Sequence, residues 1–110
     1  MAAKLRIVPA MSKSRTEIID DLENYIARNG GRFGEWYVSA TGTPRATLFK
    51  RHGVRDKGDA WIARSSKDEY EAADVVDYFL DTRHTRGARS QKRDVDLYVY
   101  AYKVKSHTKP

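Results

Sequence analysis

Ile18, Ile19, Leu22, Tyr25 and Ile26 recur at intervals of three and four residues, which lines them up along one stripe of a helix. Asp20, Asp21 and Glu23 fall between them and give that helix an acidic outer face. Ser14 followed by Glu17 predicts a capping box at its start, and Asn29-Gly30-Gly31 predicts its end. The period then changes. Trp36-Tyr37-Val38-Ser39-Ala40, aromatic and β-branched between Gly34 and Gly42, predicts a strand. Thr43 as cap, with Pro44 in the first turn where a missing N–H costs nothing, predicts a second helix. Leu48 and Phe49 would face inward and Arg45, Lys50 and Arg51 outward, with Gly53 as the stop.

A polar turn over residues 55–59 leads to Ala60-Trp61-Ile62-Ala63, a short strand. Ser66 with Glu69 predicts a second capping box, and Tyr70, Ala73, Val76, Phe79 and Leu80 mark the inner face of a third helix. After a basic loop, residues 83–94, the chain alternates. Val95, Leu97, Val99 and Ala101 fall on one face of a last strand, and Tyr98, Tyr100 and Tyr102 on the other. This order predicts an α+β fold, a small three-stranded sheet packed with three helices. One domain is expected over residues 14–105, between a flexible N-terminal segment, 1–13, and a flexible tail, 106–110. Strand directions stay open, because helix-containing connections permit parallel pairing without requiring it.

Composition narrows the function classes. With 40% hydrophobic and 33% charged residues in 110, the chain is expected to bury one modest core and has no apolar run long enough to span a membrane, so no membrane partner is expected. Cysteine is absent, which removes disulfides, thiol nucleophiles and thiolate metal sites. The N-terminus lacks the apolar core of a secretory signal, and a cytoplasmic location is expected.

The net charge of +6 is unevenly spread. Residues 1–30 carry five Lys/Arg against four acids, residues 31–82 eight against nine, and the last 28 residues eight against two. The excess therefore points to Arg83, Arg86, Arg89, Lys92, Arg93, Lys103 and Lys105 as contacts to a phosphate backbone, DNA or RNA. A solubilising tail is the alternative. The tyrosine row has two readings as well. It is core if helices cover both sheet faces, and a stacking platform beside the cations if they do not. His52, at a helix end, either meets phosphate or caps the last carbonyls. His84 and His107 have no second ligand at metal spacing.

At Tyr37-Val38-Ser39, followed by Thr43-Pro44-Arg45 and Leu48-Phe49 to His52, the chain resembles the GIY-YIG nuclease superfamily, in the style of small bacterial and phage members, over residues 35–104. The resemblance implies metal-assisted phosphodiester hydrolysis, in which a tyrosine lies near the attacking water, an arginine holds the phosphate and a glutamate binds a divalent cation. Tyr37 matches the tyrosine. Ser39 replaces the motif glycine, Thr47 stands where the arginine is expected, and Arg45 lies about 200° round the helix from it. Asp77 takes the place of the glutamate, so a Mg²⁺ ion is implied there only if the chain is active. The family's first motif is absent: residues 30–36 read GGRFGEW.

These departures imply the fold without efficient cleavage, with Tyr37, Arg45, His52 and Asp77 as vestigial catalytic positions. The leading expectation is a nucleic-acid-binding domain derived from such a nuclease, needing no cofactor. Two alternatives stand beside it. One is a small phage-type inhibitor or adaptor whose acidic surfaces dock on a host nucleic-acid enzyme, and the other is an active metal-dependent endonuclease.

Overall fold

The computed structural model describes residues 12–110, so most of the N-terminal segment expected to be flexible lies outside the described residues. Helix α1, Arg15–Asn29, begins with the expected capping box: Glu17 N–H donates to Ser14 Oγ and Ser14 N–H to Glu17 Oε1. It ends where Gly30, at φ +76, donates its N–H to Ile26 O. A single 3₁₀ turn, Phe33–Glu35, leads into strand β1, Trp36–Thr41. Next come a π-helix, Ala46–Arg51, strand β2, Trp61–Ser65, and helix α2, Glu69–Asp81. Strand β3, Arg86–Gly87, and strand β4, Tyr98–Lys103, complete the fold.

The α+β class holds, with one correction: the sheet has four strands, in the order β2-β4-β1-β3. β4 runs antiparallel to both neighbours and β3 parallel to β1. The added strand lies inside the stretch read as a basic loop. It is two residues long, too short to carry an alternation, and its Gly87 has no side chain to signal a face. The expected cap at Ser66 is also corrected. Asp68 caps α2 by accepting from Glu71 N–H, while the Ser66 hydroxyl donates to Leu97 O and Asp68 O. Tyr70, expected on the inner face, is exposed.

The sheet is covered on both sides. Trp36 and Val38 of β1, Ile62 of β2, and Val99 and Ala101 of β4 pack under Ile18, Leu22 and Ile26 of α1 and Val75, Val76 and Phe79 of α2. The opposite face carries Tyr37, Tyr100 and Tyr102, which pack with Leu48 of the π-helix and Val54, and with half-buried Phe49, Trp61 and Val104. Tyr100 and Tyr102 are thus core, and of that row only Tyr98 is left partly open. Val95, expected on the last strand's inner face, lies before β4 and is exposed.

Residues 106–110, expected as a free tail, make defined contacts. Lys109 N–H donates to His52 O at 2.7 Å, His107 Nε2 lies 2.6 Å from Asp59 Oδ2, and Thr108 is buried. Together the π-helix, the loop after it and the C-terminal residues form a third layer over the tyrosine face.

Candidate nucleic-acid interface

The third layer is anchored by one inward-pointing imidazole. Past Ala46 the chain widens from α to π geometry, with His52 N–H donating to Thr47 O at 3.0 Å, five residues back. Thr47 helps hold this turn: its hydroxyl lies 2.8 Å from that of Thr41 on β1. His52 is therefore delivered into the sheet, 2% exposed, among three tyrosine rings. Its Nδ1 is 2.7 Å from the Lys109 carbonyl and its Nε2 2.9 Å from the Tyr100 hydroxyl. A carbonyl only accepts, so Nδ1 carries the proton, and Nε2 of the neutral ring accepts from Tyr100. The Tyr102 hydroxyl, 3.0 Å from Nδ1, is a second acceptor for the same N–H.

Burial dominates the electrostatics here. It lowers the His52 pKa against the raising effect of the Lys109 carbonyl, and it raises those of Tyr37, Tyr100 and Tyr102. Tyr37 stacks on Tyr102, with ring centroids 5.3 Å apart, and packs 4.8 Å from the His52 ring. The positive field of Arg51 reaches Tyr37, His52 and Tyr100, and that of Arg86 reaches Tyr102.

Tyr37 and His52 are brought together, whereas Arg45 and Asp77 do not join them. The Arg45 side chain is 79% exposed, and its ion-pair partner is Asp56, at 4.0 Å. Asp77 belongs to α2, on the far side of the sheet from the Tyr37 ring, and accepts from Arg89 Nη1 at 2.8 Å. The group expected to hold a metal is thus already engaged by a guanidinium. Among the described residues no three His, Asp or Glu side chains are grouped to hold an ion. Ser39 has a structural use instead: its hydroxyl donates to Ala88 O at 2.6 Å and ties the segment after β3 to β1.

The cations of the C-terminal third are unequally available. Arg83 is held by Glu23 at 2.6 Å, over the Phe33 ring. Arg89 is held by Asp77 and Asp81, and Arg93 by the buried Asp96. Arg86 donates to the Gly34 carbonyl, and no ion pair is formed by Lys92, Lys103 or Lys105 among the described residues. Three of the seven expected phosphate contacts are therefore neutralised within the fold.

Exposed positive charge also gathers on the third layer. On the third layer Arg45, Lys50, Arg51, Arg55, Lys57, Lys105 and Lys109 are exposed. The same segments carry only Asp56 and Asp59, the latter bonded to His107. Across the sheet, α1 and α2 together hold nine acids against two arginines. Linear counting misses this partition, since the five acids of α2 cancel the five cations of residues 45–57 within one window. In the fold they face opposite ways. The signal available in the sequence was the helical register itself: five cations against one acid over 45–57, on the surface of a segment whose apolar residues point inward.

No helix among the described residues is long and apolar enough to cross a membrane. Comparison with known proteins finds no matching family model, no matching curated protein and no matching solved structure.

Proposed function

We propose that the protein is a nucleic-acid-binding domain of GIY-YIG-like ancestry that holds phosphate backbone on its π-helix face and does not cleave efficiently. The observation that carries this reading is the separation of charge across the sheet, with exposed cations on one layer and acids on the other. Such a face, on which Asp56 and Asp59 are outnumbered by seven cations, concentrates positive potential, which favours a polyanion. Contacts through Arg45, Lys50, Arg51, Arg55, Lys57, Lys105 and Lys109 are sequence-independent and release counterions as they form. Within this reading Lys105 remains a contact from the C-terminal third, while Arg83, Arg89 and Arg93 serve the fold.

The loss of cleavage rests on three placements. Thr47, where the family arginine is expected, is buried against Thr41. Arg45 faces solvent, and Asp77 is engaged across the sheet. Arg51, one turn beyond Thr47, gives the tyrosine cluster a positive neighbour without restoring the full set. The acidic outer faces of the helices argue less strongly for docking on a protein partner, because Asp21, Glu23, Asp74, Asp77 and Asp81 are each paired internally.

The test is fluorescence anisotropy with labelled duplex and single-stranded oligonucleotides across a salt series. Binding at about 50 mM salt that falls linearly in log–log form as salt rises supports the reading. No binding at low salt overturns it.

A further inference from the structure

An open groove of about 430 Å³ runs between the start of the π-helix and β2, the edge strand of the sheet. Trp61 and Tyr98 line it beside Leu48 and Ser65, and Arg45 and Arg64 stand at its rim. The volume lies within the range of small-ligand sites, and the lining combines the aromatic Trp61 and Tyr98 with three cations, Arg45, Arg64 and Lys13, the last paired with Asp21.

Trp61 is fixed in place. Its indole N–H donates to Asp56 O at 3.1 Å, its backbone N–H donates to the Tyr25 hydroxyl at 3.0 Å, and the Phe49 ring meets it nearly edge-on at 80°. A tryptophan held this way presents surface to a ligand without the entropic cost of ordering it. Of the two rim arginines, Arg64 is committed to Asp21 and to the Ala63 carbonyl, whereas Arg45 has only the 4.0 Å contact to Asp56. Arg45 also belongs to the basic face, so the groove and that face are continuous.

We propose that this groove takes an unpaired nucleobase of a single-stranded nucleic acid whose backbone lies on the π-helix face, an inference that rests on the nucleic-acid reading above. The occupant must be flat and apolar where it meets Trp61 and Tyr98, and joined to an anion where it meets Arg45. A nucleotide within a strand has both properties, whereas duplex bases are already stacked and paired and cannot enter. Trp36 is fully buried, so the emission change on binding reports Trp61.

The experiment compares a short single-stranded oligonucleotide with an abasic strand of the same length and charge, at low salt, by anisotropy and by tryptophan emission. The normal strand is expected to bind about 5- to 150-fold more tightly and to quench emission, while the abasic strand leaves emission unchanged. Trp61→Leu, or Tyr98→Ala if the first variant does not fold, is expected to erase the difference between strands while abasic binding persists. Equal affinity of the wild-type protein for the two strands overturns this proposal and leaves backbone binding standing. Failure of both strands to bind overturns both.

Discussion

The Tyr100 hydroxyl lies 2.9 Å from His52 Nε2, and the Lys109 carbonyl on the other side of the ring makes Tyr100 the donor. The bond joins the central strand to the end of the π-helix inside the protein, away from water. Replacing Tyr100 by Phe leaves a buried imidazole nitrogen without a donor, which costs about 1–3 kcal/mol. The expected result in urea is a lower unfolding midpoint at unchanged slope. An unchanged midpoint would mean that the bond does not secure the third layer.

The same imidazole sets a pH dependence. Burial lowers the folded pKa of His52 below its unfolded value, so the unfolded chain binds the proton more readily. Stability is therefore complete above the unfolded pKa of about 6.5 and falls as pH drops from there towards the folded value. The groups around the ring are Tyr37, Tyr100, Tyr102 and Arg51, and none of these tyrosines ionises in that window. Melting temperature followed from pH 7.5 to 5 is expected to decline in the native protein and to decline less in His52→Gln. Parallel curves for the two proteins would contradict the assignment.

Tyr37, Arg45 and Asp77 stand apart in the fold, and supercoiled plasmid incubated with Mg²⁺ or Mn²⁺ is expected to remain intact. Nicking that follows the protein through purification and disappears in Asp77→Ala would show that these positions converge on substrate after all.

β3 depends on one missing side chain. A Cβ built on Gly87 collides with the Val38 carbonyl oxygen and comes 2.8 Å from Leu80 Cδ2, at a backbone φ of +153°. Gly87→Ala is expected to cost about 1–3 kcal/mol through overpacking. Faster amide exchange at Arg86 and Gly87 would locate the damage, and unchanged protection there would refute it.

The parts of this fold that were legible in the sequence are those where local chemistry and burial agree. The Ser14–Glu17 box, the apolar stripe of α1 and the alternation of β4 each follow from residues within one element. The rest depended on distant partners. Ser66 and Glu69 satisfy the spacing of a capping box, yet the Leu97 carbonyl, just before β4, takes the Ser66 hydroxyl and Asp68 caps instead. The π turn rests on Thr47 meeting Thr41 and on His52 meeting Tyr100, contacts no local pattern announces. The basic face was hidden for the same reason: Lys50 and Arg51 fall in the same stretch of sequence as the acids of α2 but lie beyond the sheet from them.

The central claim, that phosphates are held on the π-helix face, is tested most directly by the salt dependence of oligonucleotide binding in two double variants. Lys50→Ala/Arg51→Ala is expected to weaken binding and reduce the log–log salt slope by about two, while Arg83→Ala/Arg89→Ala leaves the slope as in the native protein. The reverse result, a slope lost with Arg83 and Arg89 and kept without Lys50 and Arg51, would contradict it.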